Sequence, residues 1–305
     1  MLAYLDGPAA DLAFRRGWTH GIPALIVLPF LLTGAVVCFD RIVRRIGRAA
    51  LPSGVLPGEV LLLAVIAILT HPLLDSLNTY GVRWLMPVRG DWYYGDALFI
   101  LDPWLWLVLG FGVVASNGRR SARGLRTVGG RPARIALAVG TAYVAAMVLS
   151  GLAARRIARQ ELEALGGAPV EQLMVGPRPL TPFARQVVAA QGDRYQVGTF
   201  RWFARPHVQD LRTFPRPRAD DPVLAAARAT TLGRRFLGWA RFPTVQVEEG
   251  PAGTRVHLID LRYADRPGAG FGSVTVAAAN PPPASGPPPG TPPPSPRGAP
   301  AARAR

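Results

Sequence analysis

The sequence predicts a mainly α fold: a multi-pass transmembrane helical bundle of about four spans, then a small α+β extramembrane domain and a disordered Pro-rich tail. Three observations predict it. Apolar residues crowd the first half of the chain, in runs close to the ~20 residues that cross a bilayer core. Arg-rich loops separate those runs, with Arg41, Arg44, Arg45 and Arg48 in one and Arg119, Arg120, Arg123, Arg126, Arg131 and Arg134 in the next. Beyond residue 153 the pattern turns to short strand-like runs. Hydrophobic residues make up 49% of the 305 residues and mean hydropathy is +0.19, values that favour a membrane protein.

The net charge of +16 comes from 35 basic residues, all of them Arg. Short Arg loops beside apolar spans obey the positive-inside rule, so the charge needs no nucleic acid and none is expected as a partner. Cys38 is the single cysteine, which excludes an intrachain disulfide; it reads as a small buried hydrophobe.

Residues 1–14 lack the basic and apolar regions of a signal peptide and read as a loop from within something longer. Thr19 is placed to cap the first span, residues 22–39, where Pro23 suits a first turn and Pro29 predicts a kink. The second span, residues 59–77, carries His71, Pro72 and Asp75 near its end. An aromatic loop follows, with Tyr80, Trp84, Trp92, Tyr93 and Tyr94, a composition found at membrane interfaces. The third span, residues 97–116, has Asp102-Pro103 near its start, and the fourth covers residues 135–152. Residues 153–280 form the α+β domain: a helix capped at Asp221-Pro222 and running to about Trp239, among strands at Tyr195–Phe203, Thr244–Glu249, Arg255–Tyr263 and Ser273–Ala278. Fifteen Arg against eleven acids between residues 160 and 280 is an ordinary soluble balance, and His207 and His257 read as structural. Residues 281–305, rich in Pro, cannot bury a core.

Loop charge sets a topology in which the two Arg loops face the cytoplasm and the domain is periplasmic. His20, His71, Asp75, Asp96 and Asp102 then fall at the outer ends of their spans. His71 and Asp75, four residues apart on a helix, can share one metal ion or pair with each other. Taken alone, His20 reads first as a polar boundary residue and second as a ligand. Asp102 reads as a helix N-cap, a functional acid, or both.

At Arg16-Gly17-Trp18-Thr19-His20, and at His71 through Asp75, Asn78, Thr79 and Tyr80 to Gly81, with Asp102-Pro103 downstream, the sequence resembles the membrane-bound metal-dependent hydrolase family, also described as LexA-binding and inner-membrane-associated. The likeness covers about residues 14–116. It implies a multi-pass inner-membrane protein with a divalent metal ion, zinc first, on His20, His71 and Asp75, and with Arg16 at an anionic substrate group. Two features depart from the family: Arg15 stands where the first motif has His, and the upstream Thr-His helix and Pro-Asp-x-Asp element are not in this sequence, so the chain is expected to begin downstream of them.

The resulting expectation is a metal-dependent hydrolase at the periplasmic face, in which metal-activated water attacks an ester or phosphoester. Asp102 or Asp96 would act as general base or orient a ligand. Expected partners are membrane lipid and a small-molecule or lipid ester substrate. The alternative is a non-catalytic inner-membrane protein that binds partners through its C-terminal domain.

Overall fold

The computed structural model describes residues 16–47, 54–121, 130–166, 168–250 and 253–278. The opening segment 1–14 and the expected Pro-rich tail lie outside the described residues. Four helices come first: α1 (Ile22–Arg45), α2 (Pro57–Asp75), α3 (Pro103–Ser121) and α4 (Arg131–Gly166). Among the described residues, α1, α2 and α4 are long and apolar enough to cross a membrane. The apolar part of α3, Pro103–Ser116, is shorter, so of the four expected spans three meet the length. The third expected span starts six residues late because residues 97–102 form a loop that ends in a cap.

Helix starts follow local chemistry. Pro at the first turn of α1 and α2 costs no hydrogen bond, because that N–H has no partner within the helix. Thr19 does not cap α1. The N-cap is Gly21, and Thr19 hydrogen-bonds His20 instead. Helix α1 continues through Pro29, and α2 continues through Pro72 in its last turn. Cys38 is exposed on α1 rather than buried within the protein; on an apolar span that face meets lipid. The helices pack as two pairs, α1 with α2 and α3 with α4. Gly112 makes the second pair close, since a Cβ there would collide with the Ala136 side chain.

Helix α4 is 36 residues long, about 54 Å at 1.5 Å per residue, against a hydrocarbon core of about 30 Å. Its last turns therefore leave the bundle. Ala154, Ala158 and Leu162, at i,i+4 spacing, are fully buried against a sheet, while Arg155 and Arg156 face outward.

That sheet is an antiparallel meander of β1 (Gln172–Arg178), β2 (Thr181–Gln191), β3 (Arg194–Arg201) and β4 (Val208–Pro215), in that order. Helix α4 covers one face. The other packs Met174, Val188 and Tyr195 on Phe242 and Leu261, which flank the strands of a second meander, β5 (Pro243–Gly250), β6 (Gly253–Asp260) and β7 (Ser273–Ala278). Between the sheets in sequence lie α5 (Pro222–Ala229) and α6 (Thr231–Trp239). The expected single helix breaks at Thr230, whose hydroxyl accepts from the Gly233 N–H and caps α6. Gly233 is required at this turn because a Cβ would strike the Ala227 carbonyl.

The aromatic loop does not form an open belt. Tyr80 is buried beside Trp239, ring centroids 5.0 Å apart, and Trp92 packs against the same cluster. Arg262, fully buried, pairs with Asp260 at 2.7 Å and donates to the carbonyls of Thr79 and Trp239. This loop therefore fastens the bundle to the domain.

Candidate metal centre

The last turn of α2 carries His71 and Asp75 on one face, with His71 Nε2 3.7 Å from Asp75 Oδ2. The turn before α1 brings His20 to the same oxygen, its Nε2 at 3.1 Å. The His20 and His71 rings lie 5.2 Å apart. Three ligand atoms thus converge within 4.8 Å of one another. Bonds of about 2.05 Å at tetrahedral angles put ligand atoms about 3.3 Å apart, so the His–Asp spacings fit one small divalent ion. The donor set, two imidazoles and a carboxylate, suits zinc.

Groups behind the ligands fix their directions. Asp75 Oδ1 accepts from Arg16 Nη2 at 3.3 Å and from Asn78 Nδ2 at 3.5 Å, which leaves Oδ2 facing the histidines. The Thr19 hydroxyl lies 2.7 Å from His20 Nδ1 and holds that ring by its far nitrogen. Arg16 has a left-handed backbone, φ +53°, and its guanidinium also donates to Asn78 Oδ1 and lies over the Tyr80 ring. Asn78 is buried and accepts from the Tyr80 and Gly81 N–H groups as well. Asn78 and Thr19 stood in the motifs, but their roles were not legible there, because a bracing contact depends on which atoms the fold brings behind a ligand.

The ligands line a cavity of about 730 Å³ together with Arg16, Thr19 and Asn78. His20 and Asp75 are largely covered, whereas the His71 side chain is 68% exposed. Asp102 lines the same cavity without joining the ligand cluster. Its Oδ1 accepts from the Trp104 and Leu105 N–H groups as the N-cap of α3, and its Oδ2 accepts from the Tyr143 hydroxyl of α4 at 3.0 Å. Asp96 turns toward the domain. Both its oxygens accept from Arg241 at 2.9 Å. His207 stacks on Phe200, and His257 bonds Thr275 and Glu248, both away from the centre.

Outside the spans, burial pushes the Tyr94 and Tyr263 phenols up to about 12, against the opposing pull of Arg262. Burial alone would weaken the Arg262 cation, but the adjoining Asp260 carboxylate holds it more firmly protonated than usual.

A family model described as YdjM inner membrane protein matches residues 2–158, just over half of the chain. No curated protein and no solved structure matches it.

Proposed function

The chain belongs to the YdjM inner membrane protein family, and we propose that it acts as a metal-dependent hydrolase whose site faces the periplasm. The observation that carries this reading is the convergence of His20, from the turn before α1, with His71 and Asp75 of α2 on the wall of one cavity. These three side chains would hold a divalent ion, zinc first; three protein ligands is the number that catalytic zinc sites use. When bound, such an ion supplies Lewis acidity, lowering the pKa of a water and polarising an ester or phosphoester.

The chain's own residues do the rest. Arg16 and Asn78 fix the Asp75 carboxylate and Thr19 fixes the His20 ring, so two of the three ligands are held in direction before binding. Arg16 also presents positive charge at the cavity wall, where an anionic ester group would lie. Asp102 holds the start of α3 against α4 and so shapes the cavity. In the reaction class, the oxygen of one water joins the carbonyl carbon or phosphorus. The bond to the departing oxygen breaks, and the water's proton ends on that oxygen.

The periplasmic orientation rests on charge. Arg44 and Arg45 end α1, and Arg131 and Arg134 begin α4; both lie toward the end of the bundle opposite the site. Helix α3, antiparallel to α4, then makes a fourth crossing. Alkaline phosphatase fused after residue 278 tests this orientation: it is active only in the periplasm.

The chemical reading is tested on purified full-length protein by measuring bound metal. Wild type should carry about one zinc per chain, and His71→Ala and Asp75→Ala should lose it. Equal metal in all three sinks the assignment and leaves these groups as a hydrogen-bonded cluster within the bundle.

A further inference from the structure

We infer that the substrate of this site is a phospholipid of the surrounding bilayer, with one acyl chain lying along α3 and its headgroup at the histidines. The inference rests on the hydrolase reading above and names the substrate class. It comes from how the cavity wall changes along its length. One end is polar, with Arg16, His20, His71, Asp75 and Asn78, and with the capping carboxylate of Asp102 beside them. The remainder is apolar: Leu101, Leu105, Trp106, Leu109 and Val113.

From Leu105 onward these residues recur at i, i+4 and i+8 and so form one stripe down α3. From Asp102 to Val113 the stripe descends about 16 Å at 1.5 Å per residue, well into the depth of the apolar spans. The cavity is walled by α2 on one side and α3 on the other, so it lies between the two packed helix pairs.

Two observations indicate that the groove opens sideways to lipid. Leu101 just before α3, and Trp106 and Val113 on it, are 65%, 68% and 58% exposed. Gly110 lines the groove, and a Cβ built there meets nothing within 4 Å, whereas two residues on Gly112 is closed by Ala136. A small polar ester would leave the apolar stripe uncovered. A bilayer lipid covers the stripe with its chain and brings its phosphate ester to the polar end, at Arg16 and the three proposed metal ligands, which matches the polarity of each end.

The test uses full-length protein in bilayers of phosphatidylethanolamine and phosphatidylglycerol, with a trace of phosphatidylethanolamine carrying a photoreactive diazirine midway along one acyl chain. After illumination, adducts are mapped by mass spectrometry. Leu105, Leu109 and Val113 should be labelled well above Phe111 and Val114, which are 75% and 69% exposed on the same helix but outside the groove. Gly110→Phe should reduce labelling in the groove roughly tenfold, as expected when about two methylenes of chain lose their seat, and leave Phe111 labelling unchanged. Val113→Trp repeats the test if Gly110→Phe does not accumulate. Even labelling around α3, or groove labelling that survives both wedges, overturns the inference. Metal measured on the same wild-type samples separates the two ideas. Selective groove labelling on protein that holds no zinc overturns the hydrolase reading alone, and even labelling on zinc-loaded protein overturns the lipid inference alone.

Discussion

Replacing Asn78 with Ala removes the amide that braces the proposed ligand Asp75. Asn78 is 3% exposed; its Oδ1 accepts from Arg16 at 2.9 Å, Tyr80 N at 2.8 Å and Gly81 N at 3.3 Å, while its Nδ2 donates to Asp75. Two separate losses are expected. Removing a group that orients a metal ligand costs about 10–100-fold in affinity, or about 1.4–2.7 kcal/mol. Leaving the Tyr80 and Gly81 N–H groups buried without an acceptor costs about 1–3 kcal/mol each in stability. Zinc affinity is measured by competition with a chromophoric chelator on full-length protein, with a thermal melt in parallel. Asn78→Ala should melt several degrees below wild type. If Asn78→Ala binds zinc as tightly as wild type, Asn78 does not position Asp75 and the bracing argument is wrong.

Three further outcomes follow from the packing. Arg185 is fully buried and donates to the carbonyls of Asp96 and Met147 and to the Ser150 hydroxyl, where α4 leaves the bundle. Arg185→Met should therefore lower stability by about 1–3 kcal/mol, seen as a lower Tm and faster proteolysis of the domain. Gly112→Leu forces α3 away from Ala136 and should cost about 1–3 kcal/mol, read in the same melts. In alkali, the unfolded chain ionises its phenols near the ordinary value of 10.0, while Tyr94 and Tyr263 stay neutral in the fold up to about 12. Their contribution is thus complete below pH 10 and is lost between pH 10 and about 12, at up to about 1.4 kcal/mol per pH unit per phenol. Melts across this range should show the fall in wild type and a shallower one in Tyr263→Phe.

The apolar runs, the Arg loops and the spacing of His71 and Asp75 were legible because each is a local, periodic property. The strands β3, β5, β6 and β7 were legible for the same reason. Strands β1, β2 and β4 were not. Pro177 breaks the pattern in β1, an edge strand whose outer side has no ladder to disrupt, and Pro182 stands near the start of β2. Edge strand β4 carries Asp210 and Arg212 on its exposed positions. The run of α4 past residue 152 was hidden because hydropathy ends where the membrane ends, whereas the helix goes on to bury Ala154, Ala158 and Leu162 on a sheet.

The sequence alone determined that apolar helices come first, that a strand-rich domain follows, and that His71 and Asp75 share a helix face, since backbone period and hydrophobicity act over a few residues. Only the tertiary structure decided that His20 reaches the same carboxylate oxygen, that Asp96 belongs to Arg241 and Asp102 to a cap, and that Tyr80 of the aromatic loop is buried beside Trp239. Such partnerships join residues far apart in the chain. Which polar groups meet is settled by the packing that covers them, because each must find a partner once water is excluded.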